Sequence, residues 1–163
     1  IVHRLDRETS GVMIFAKHKR HKEYLQEQFA NRSVHRIYHA LIEGRPEKNN
    51  GIIHEWLLED KFLRVKAVNK NHPNAKEAIT YWSVEDSDEF ASLLSLTIET
   101  GRRHQIRVGL ANLGHPVVGD KQHGAEGNPI GRIALHASSL ELLHPETDDP
   151  VRFEATIPFG PEN

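Results

Sequence analysis

Asp6 stands between Arg4 and Arg7 in the run His3-Arg4-Leu5-Asp6-Arg7-Glu8-Thr9-Ser10-Gly11. A carboxylate on a loop beside a rigid strand is well placed for chemistry. The same residues also make an ordinary turn in which Asp6 pairs locally with Arg4 or Arg7, and on spacing alone that is the plainer reading. A second dense cluster is Thr100-Gly101-Arg102-Arg103-His104-Gln105-Ile106-Arg107-Val108. Its Gly-Arg-Arg precedes an expected helix N-terminus, where free N–H groups and cationic side chains can hold a phosphate. Arg107 follows Arg103 by one helical turn, so the two can share a face. Surface arginines at a solvated helix start are the plainer alternative. The shaped loop Gly114-His115-Pro116-Val117-Val118-Gly119-Asp120 comes next.

Other chemistries find less support. The chain has no cysteine, which excludes disulfides, thiolate metal sites and thiol nucleophiles. Its 12 histidines invite a metal site. However, His35 and His39 fall on an expected strand, His18 and His21 on an exposed helix, and no pair has the H-E-x-x-H context. No glycine run makes a phosphate loop, and neither Ser10 nor Ser33 has the setting of a nucleophile elbow.

The elements that must position these clusters can be read from hydrophobic periodicity. Val12 to Ala16 is a short apolar run that suits a buried strand. His18 to Phe29 reads as a helix, with Leu25 and Phe29 four residues apart. Val34 to Ile42 is a strand ended by Gly44-Arg45-Pro46. Ile52 to Leu58 pairs with Leu63 to Val68, and Ala78 to Val84 with Leu93 to Ile98 around the acidic loop Glu85 to Glu89. In His104 to Leu113 a helical stripe carries Ile106, Leu110 and Leu113, with Gly114 suited to C′. Ile133 to Leu142 and Val151 to Ile157 close the chain as strands. Consecutive strands with two helices give an α+β class: a mixed, mainly antiparallel sheet with flanking helices.

The 163 residues suit one domain, 1–163, and 37 % hydrophobic with 27 % charged residues is a globular mixture. The net charge of −2 announces no nucleic-acid binder, but a local patch would suffice. From Lys17 to Arg36 there are six Lys/Arg against two acids, and Arg102, Arg103 and Arg107 form a second basic group. For Lys17 to Lys22 the solvated side of a helix is the plainer reading. No apolar run reaches the roughly 20 residues of a membrane helix. The sequence starts at Ile1 rather than Met, close to its most residue-specific stretch, so an upstream segment is expected and the domain is read as N-terminally incomplete.

Together these stretches resemble the catalytic domain of the RluA-like family of rRNA and tRNA pseudouridine synthases. The resemblance rests on His-Arg-Leu-Asp-x-x-Thr-Ser-Gly at His3 to Gly11 and Arg-x-Tyr-x-Ala-Leu-x-x-Gly at Arg36 to Gly44. Thr-Gly-Arg-x-His-Gln-Ile-Arg-Val at Thr100 to Val108 and Gly-His-Pro-x-x-Gly-Asp at Gly114 to Asp120 complete the set, in the family's order. Lys76 to Tyr81 is similar to a further strand of the family. The chain departs from the pattern at Gly109, where members usually carry a histidine or similar residue, and at His123-Gly124, where they usually carry Tyr-Gly.

The resemblance implies that Asp6 is the nucleophilic aspartate, Tyr38 the tyrosine packed on the target base, and Arg107 the basic partner of Asp6. It also implies that Arg4 acts near a flipped nucleotide, with Arg102 and Arg103 as further RNA-binding positions. Uridine and pseudouridine are isomers, so no redox cofactor, metal or thiol is required. An ionised carboxylate and a base taken out of its stack are. The implied protein is a cytoplasmic, monomeric isomerase of specific uridines in rRNA or tRNA, with RNA as its partner and neither membrane nor DNA. Two rivals stand beside it: an RNA-binding module without turnover, and a nucleoside or nucleotide enzyme with a closed pocket. The catalytic reading requires Asp6, Tyr38 and Arg107 to meet in one cleft with an Asp6–Arg107 ion pair. An upstream segment would leave an open edge or an apolar patch near Val12 to Ala16.

Overall fold

The computed structural model describes residues 1–161. Its elements are β1 (Ser10–Gly11), α1 (Lys19–Ala30), β2 (His35–Glu43), β3 (Asn50–Glu59), β4 (Val65–Val68), β5 (Lys76–Ser87), β6 (Ala91–Ile98), α2 (Gln105–Asn112), β7 (Leu135–Leu143) and β8 (Pro150–Glu154), with a 3-10 turn at Lys121–His123. The strands form one eight-stranded sheet in the order β1-β7-β2-β6-β5-β3-β4, and β8 also pairs with β7. Every pairing is antiparallel except β1 with β7. This is the expected α+β sheet with two helices.

Period-two burial explains the middle of the sheet. Ala78, Thr80 and Trp82 of β5 and Ser92, Leu94 and Leu96 of β6 are buried, while the residues between them are more open. β2 lies between β7 and β6, and Tyr38 through Ile42 are buried without a break, as in a strand covered on both faces. Ile106 and Leu110 of α2 join the core of Tyr38, Ile42, Leu94 and Leu96, and Val108 joins Leu57, Val65 and Ala78. Gly114, at φ 95°, ends this helix with the backbone geometry that glycine favours at C′. Leu25 of α1 packs with Val2, Val34, Leu140 and Leu142. Lys17, Lys19, Arg20 and Lys22 are exposed, as the solvated-face reading has it.

Two expectations need correction. Val12 to Ala16 is not a strand: regular pairing stops after Gly11. Val12 N still donates to Ala137 O at 2.8 Å, but Ile14 N donates instead to His3 Nε2 at 3.0 Å. Val12, Ile14 and Ala16 bury themselves against the α1–β7 cluster, so their apolar character reports packing rather than pairing. Phe15 is 62 % exposed and lines an apolar groove with Leu142, Val151 and Phe153. The acidic segment Glu85 to Glu89 is also not wholly a loop, because β5 runs on to Ser87 past a register shift between Val84 and Asp86.

Gly11 is required where it stands. Its φ is 117°, and a Cβ there would lie 2.1 Å from the carbonyl oxygen of Ala137. Only a residue without a side chain allows the Asp6 loop to dock this closely on β7.

Candidate active site

Four segments converge: the loop before β1, the first half of β2, the N-terminal end of α2, and the loop from Gly114 to Gly124. The approach to α2 is fixed by a buried amide. Gln105 Oε1 accepts from Thr100 Oγ1 at 2.7 Å and from Arg102 N at 3.1 Å. Its Nε2 donates to Ile79 O at 3.0 Å and Thr80 Oγ1 at 2.9 Å. The segment from Thr100 to His104 is thereby tied to β5. His104, just before the helix, sits in the left-handed region at φ 53°. Non-glycine residues hold that conformation at a cost of roughly 1–2 kcal/mol, so the surrounding bonds must enforce it.

Asp6 and Tyr38 line one cavity of about 70 Å³, together with Arg4, Arg36 and Arg102. Arg107 lies against Asp6, with its Nη1 3.8 Å from Asp6 Oδ2. Asp6 and Tyr38 thus share a cavity, from a loop and a strand, while Arg107 of α2 lies behind Asp6 and lines neither this cavity nor the larger one beside it. The ion pair is nevertheless not the main one. Arg107 is 2 % exposed, and its Nε and Nη2 donate to Asp120 Oδ2 and Oδ1, both at 2.8 Å. Asp120 is fully buried. Nη2 also donates to Gln122 Oε1 at 3.3 Å, and Nη1 to His104 Nε2 at 3.1 Å. With five N–H donors on a guanidinium, this leaves one Nη1 hydrogen for Asp6 and for Glu8, whose carboxylate is also 3.8 Å away. Burial works against the Arg107 charge, but Asp120 foremost, then Asp6 and Glu8, hold its pKa above the ordinary value.

Burial pushes the Tyr38 phenol up from 10, against the nearby Arg36 cation. Tyr38 is thus a neutral wall at pH 7. Burial and the Arg107 charge lower the His104 pKa, and burial lowers that of His123. The two imidazoles meet at 3.1 Å, Nδ1 of His104 to Nε2 of His123.

A second cavity of about 620 Å³ is also lined by Asp6 and carries Arg4, Arg7, Arg102 and Arg103, with Phe62 of the β3–β4 turn at its wall. The Arg102 Nε donates to Glu77 O at 2.9 Å, and the buried Nε of Arg103 has no hydrogen-bond partner among the described residues. Arg4, Arg102 and Arg103 therefore line the same cavity as Asp6. The first basic stretch divides: Arg36 lines the Asp6 cavity, whereas Lys17, Lys19, Arg20 and Lys22 line neither cavity. Among the described residues, no group of three His, Cys, Asp or Glu side chains is placed to hold a metal ion.

Sequence reading missed Asp120 as the chief partner of Arg107, and with it His104, Gln122, His123 and Arg36. Asp120 was visible only as the end of a glycine-framed loop. Nothing in its spacing says that it crosses to a helix 13 residues earlier.

Residues 1–112 match the family model described as RNA pseudouridylate synthase. The uncharacterized RNA pseudouridine synthase YhcT of Bacillus subtilis (strain 168) is 38 % identical over 164 residues, covering 99 % of this chain and 54 % of that protein. Ribosomal large subunit pseudouridine synthase C of Yersinia pestis is 34 % identical over 164 residues, covering 96 % of this chain and 51 % of that protein. The chain thus spans about half the length of these curated relatives. A solved structure of human RNA Pseudouridylate Synthase Domain Containing 1 superposes with a TM-score of 0.85 at 28 % identity, over 97 % of this chain and 69 % of that one.

Proposed function

Because the chain belongs to the RNA pseudouridylate synthase family, we propose that it isomerises uridine to pseudouridine in RNA, with Asp6 as the reacting carboxylate. The observation that carries the reading is the state of Asp6. Its side chain is 22 % exposed in the wall of a cavity shared with Tyr38, and its nearest cation stands at 3.8 Å, too far to occupy it with a hydrogen bond.

In this reading a uridine leaves its stack and enters beside Tyr38, whose buried ring forms the wall against the base. Asp6 attacks the sugar C1′ or the uracil C6, or takes a proton from the sugar to give a glycal. The N-glycosidic bond breaks, the uracil turns, C5 bonds to C1′, the bond to Asp6 breaks or the sugar proton returns, and the C5 proton is lost while N1 gains one. Substrate and product have the same atoms, so the steps balance without a co-reactant. The single free N–H of Arg107 keeps positive charge near the carboxylate without saturating it. Arg4, Arg36, Arg102 and Arg103 surround the approach and suit a phosphate backbone.

A relative named for the large ribosomal subunit favours rRNA over tRNA as the substrate. The reading extends to a monomer acting in the cytoplasm on RNA rather than DNA. No helix among the described residues is long and apolar enough to cross a membrane. The test is incubation of the full-length protein with rRNA and tRNA transcripts, followed by mass spectrometry of carbodiimide-derivatised RNA. New pseudouridine in an rRNA fragment is expected. RNA binding without any conversion would favour a binding module, and conversion of free uridine or uridine phosphates alone would favour a small-molecule enzyme.

A further inference from the structure

We propose that His123 is a positioning residue: it fixes the proton of His104 on Nδ1, so that His104 Nε2 accepts from Arg107 and the guanidinium stays seated with its remaining N–H beside Asp6. The role rests on the isomerase reading, but the proton arrangement does not.

The argument begins with a group that cannot accept. A guanidinium carries only donors, so the 3.1 Å contact between Arg107 Nη1 and His104 Nε2 requires a lone pair on that nitrogen. His104 is then neutral, with its proton on Nδ1. That proton points to His123 Nε2 at 3.1 Å, which must accept it, and His123 is left with its own proton on Nδ1. The hydrogen bonds therefore run in one direction, from Arg107 to His104 to His123. Both imidazoles have pKa values lowered by burial, in keeping with two neutral rings. The charged groups facing this pair are Arg103, Arg107, Asp6 and Asp120.

The 3-10 turn Lys121–His123 makes this possible. Asp120, Gln122 and His123 leave the backbone within four residues, and two of them bond Arg107 directly while the third reaches it through His104. His123 lines neither cavity at Asp6, whereas His104 lines both. Its effect on the reaction must pass through His104. If His104 flips to the Nε2–H tautomer, or gains a second proton, Nε2 becomes a donor facing a donor. The contact at Arg107 Nη1 then turns repulsive and strains the guanidinium against its bonds to Asp120 and Gln122.

The test uses the full-length protein with His123→Leu and His123→Gln. Nitrogen-15 NMR of the imidazoles should find His104 of the wild type in the Nδ1–H form. His123→Leu should give a tautomer mixture and lower kcat about tenfold or more, with KM for RNA unchanged. His123→Gln offers a carbonyl oxygen to the same proton and should restore both the tautomer and most of kcat. A wild-type His104 in the Nε2–H form overturns the proposal, and so does a His123→Leu protein with unaltered tautomer and kcat. Equal losses in both variants, or a change confined to KM, would also overturn it. If His123→Leu does not fold, the wild-type tautomer and His123→Gln still decide. If the wild type makes no pseudouridine, the isomerase reading fails while the NMR measurement still judges the proton arrangement.

Discussion

Two loops meet at Arg107 and treat the same guanidinium in opposite ways. The loop ending in Asp120 gives a fully buried carboxylate with two bonds at 2.8 Å. The loop before β1 gives Asp6, partly exposed and 3.8 Å away. An arginine has one geometry to offer, and here its bidentate side is spent on the residue that never sees solvent. The buried pair fixes where the charge sits, and the open carboxylate stays available for a substrate. Sharing a partner thus does not make two aspartates equivalent. The one with the better hydrogen bonds is the anchor, and the one with the poorer contact is the reactive candidate.

The sharpest way to break that contrast is to neutralise each carboxylate in turn. Asp6→Asn should lower kcat for pseudouridine formation by about 10⁴-fold or more, since an amide is a poor nucleophile and a poor base. Its melting temperature should move little, because Arg107 keeps its two bonds to the buried Asp120 carboxylate when Asp6 loses its charge. A folded Asp6→Asn protein with near wild-type turnover would remove Asp6 from the mechanism. Asp120→Asn should instead show its main effect in a thermal melt. A buried guanidinium left without its charge partner costs about 3 kcal/mol or more, which is roughly 6–12 °C for a chain of this size. If the two variants melt alike, the distinction between anchor and reactive group is wrong.

The next effect is on pH. His3 opens the Asp6 loop, stacks on Phe29 with ring centroids 4.5 Å apart, and accepts a hydrogen bond from Ile14 N. Burial, and then the Arg36 charge, lower its pKa from 6.5 to about 4. Between these values the unfolded chain binds the proton and the folded one does not, so stability is lost as pH falls from 6.5 toward 4. The slope from this residue is at most about 1.4 kcal/mol per unit. Urea unfolding at pH 7, 6 and 5 should show the fall, and His3→Gln should flatten it. An unchanged slope in that variant would place the acid sensitivity elsewhere.

The smallest effect sharpens the open side of the contrast. Arg102→Ala with Arg103→Ala should reduce the salt dependence of RNA affinity by about 0.7 in the log–log slope for each lost phosphate contact on a single strand. Lys19→Ala with Lys22→Ala, on the exposed face of α1, should leave the slope alone. The reverse pattern would move the RNA path from the Asp6 cavity to α1.

Much of this could be read from the residues. The alternation in Ala78 to Val84 and Leu93 to Ile98 yields β5 and β6, and Gly114 marks the end of α2 because its role is local. Asp6, Tyr38 and Arg107 could be brought together only through the family resemblance, since no periodicity connects a loop, a strand and a helix. Val12 to Ala16 misled because an apolar run reports burial and is silent on whether a strand or a packed coil provides it. The Asp120–Arg107 pair and the His104–His123 contact were illegible because they depend on how a loop folds back over α2, which is a tertiary property with no signature in spacing.

The two-residue pairing of β1 with β7 also has a kinetic side. Ser10 Oγ meets His136 Nδ1 at 2.7 Å across 126 positions of sequence, and Gly11 lies against Ala137. Closing so long a loop is entropically costly and is repaid by few contacts, so it belongs late in folding. The segment carrying Asp6 must therefore wait, undocked, until β7 has formed on β2. On a ribosome the reactive loop would emerge well before its dock exists, and the site would be assembled only after β7 has left the exit tunnel.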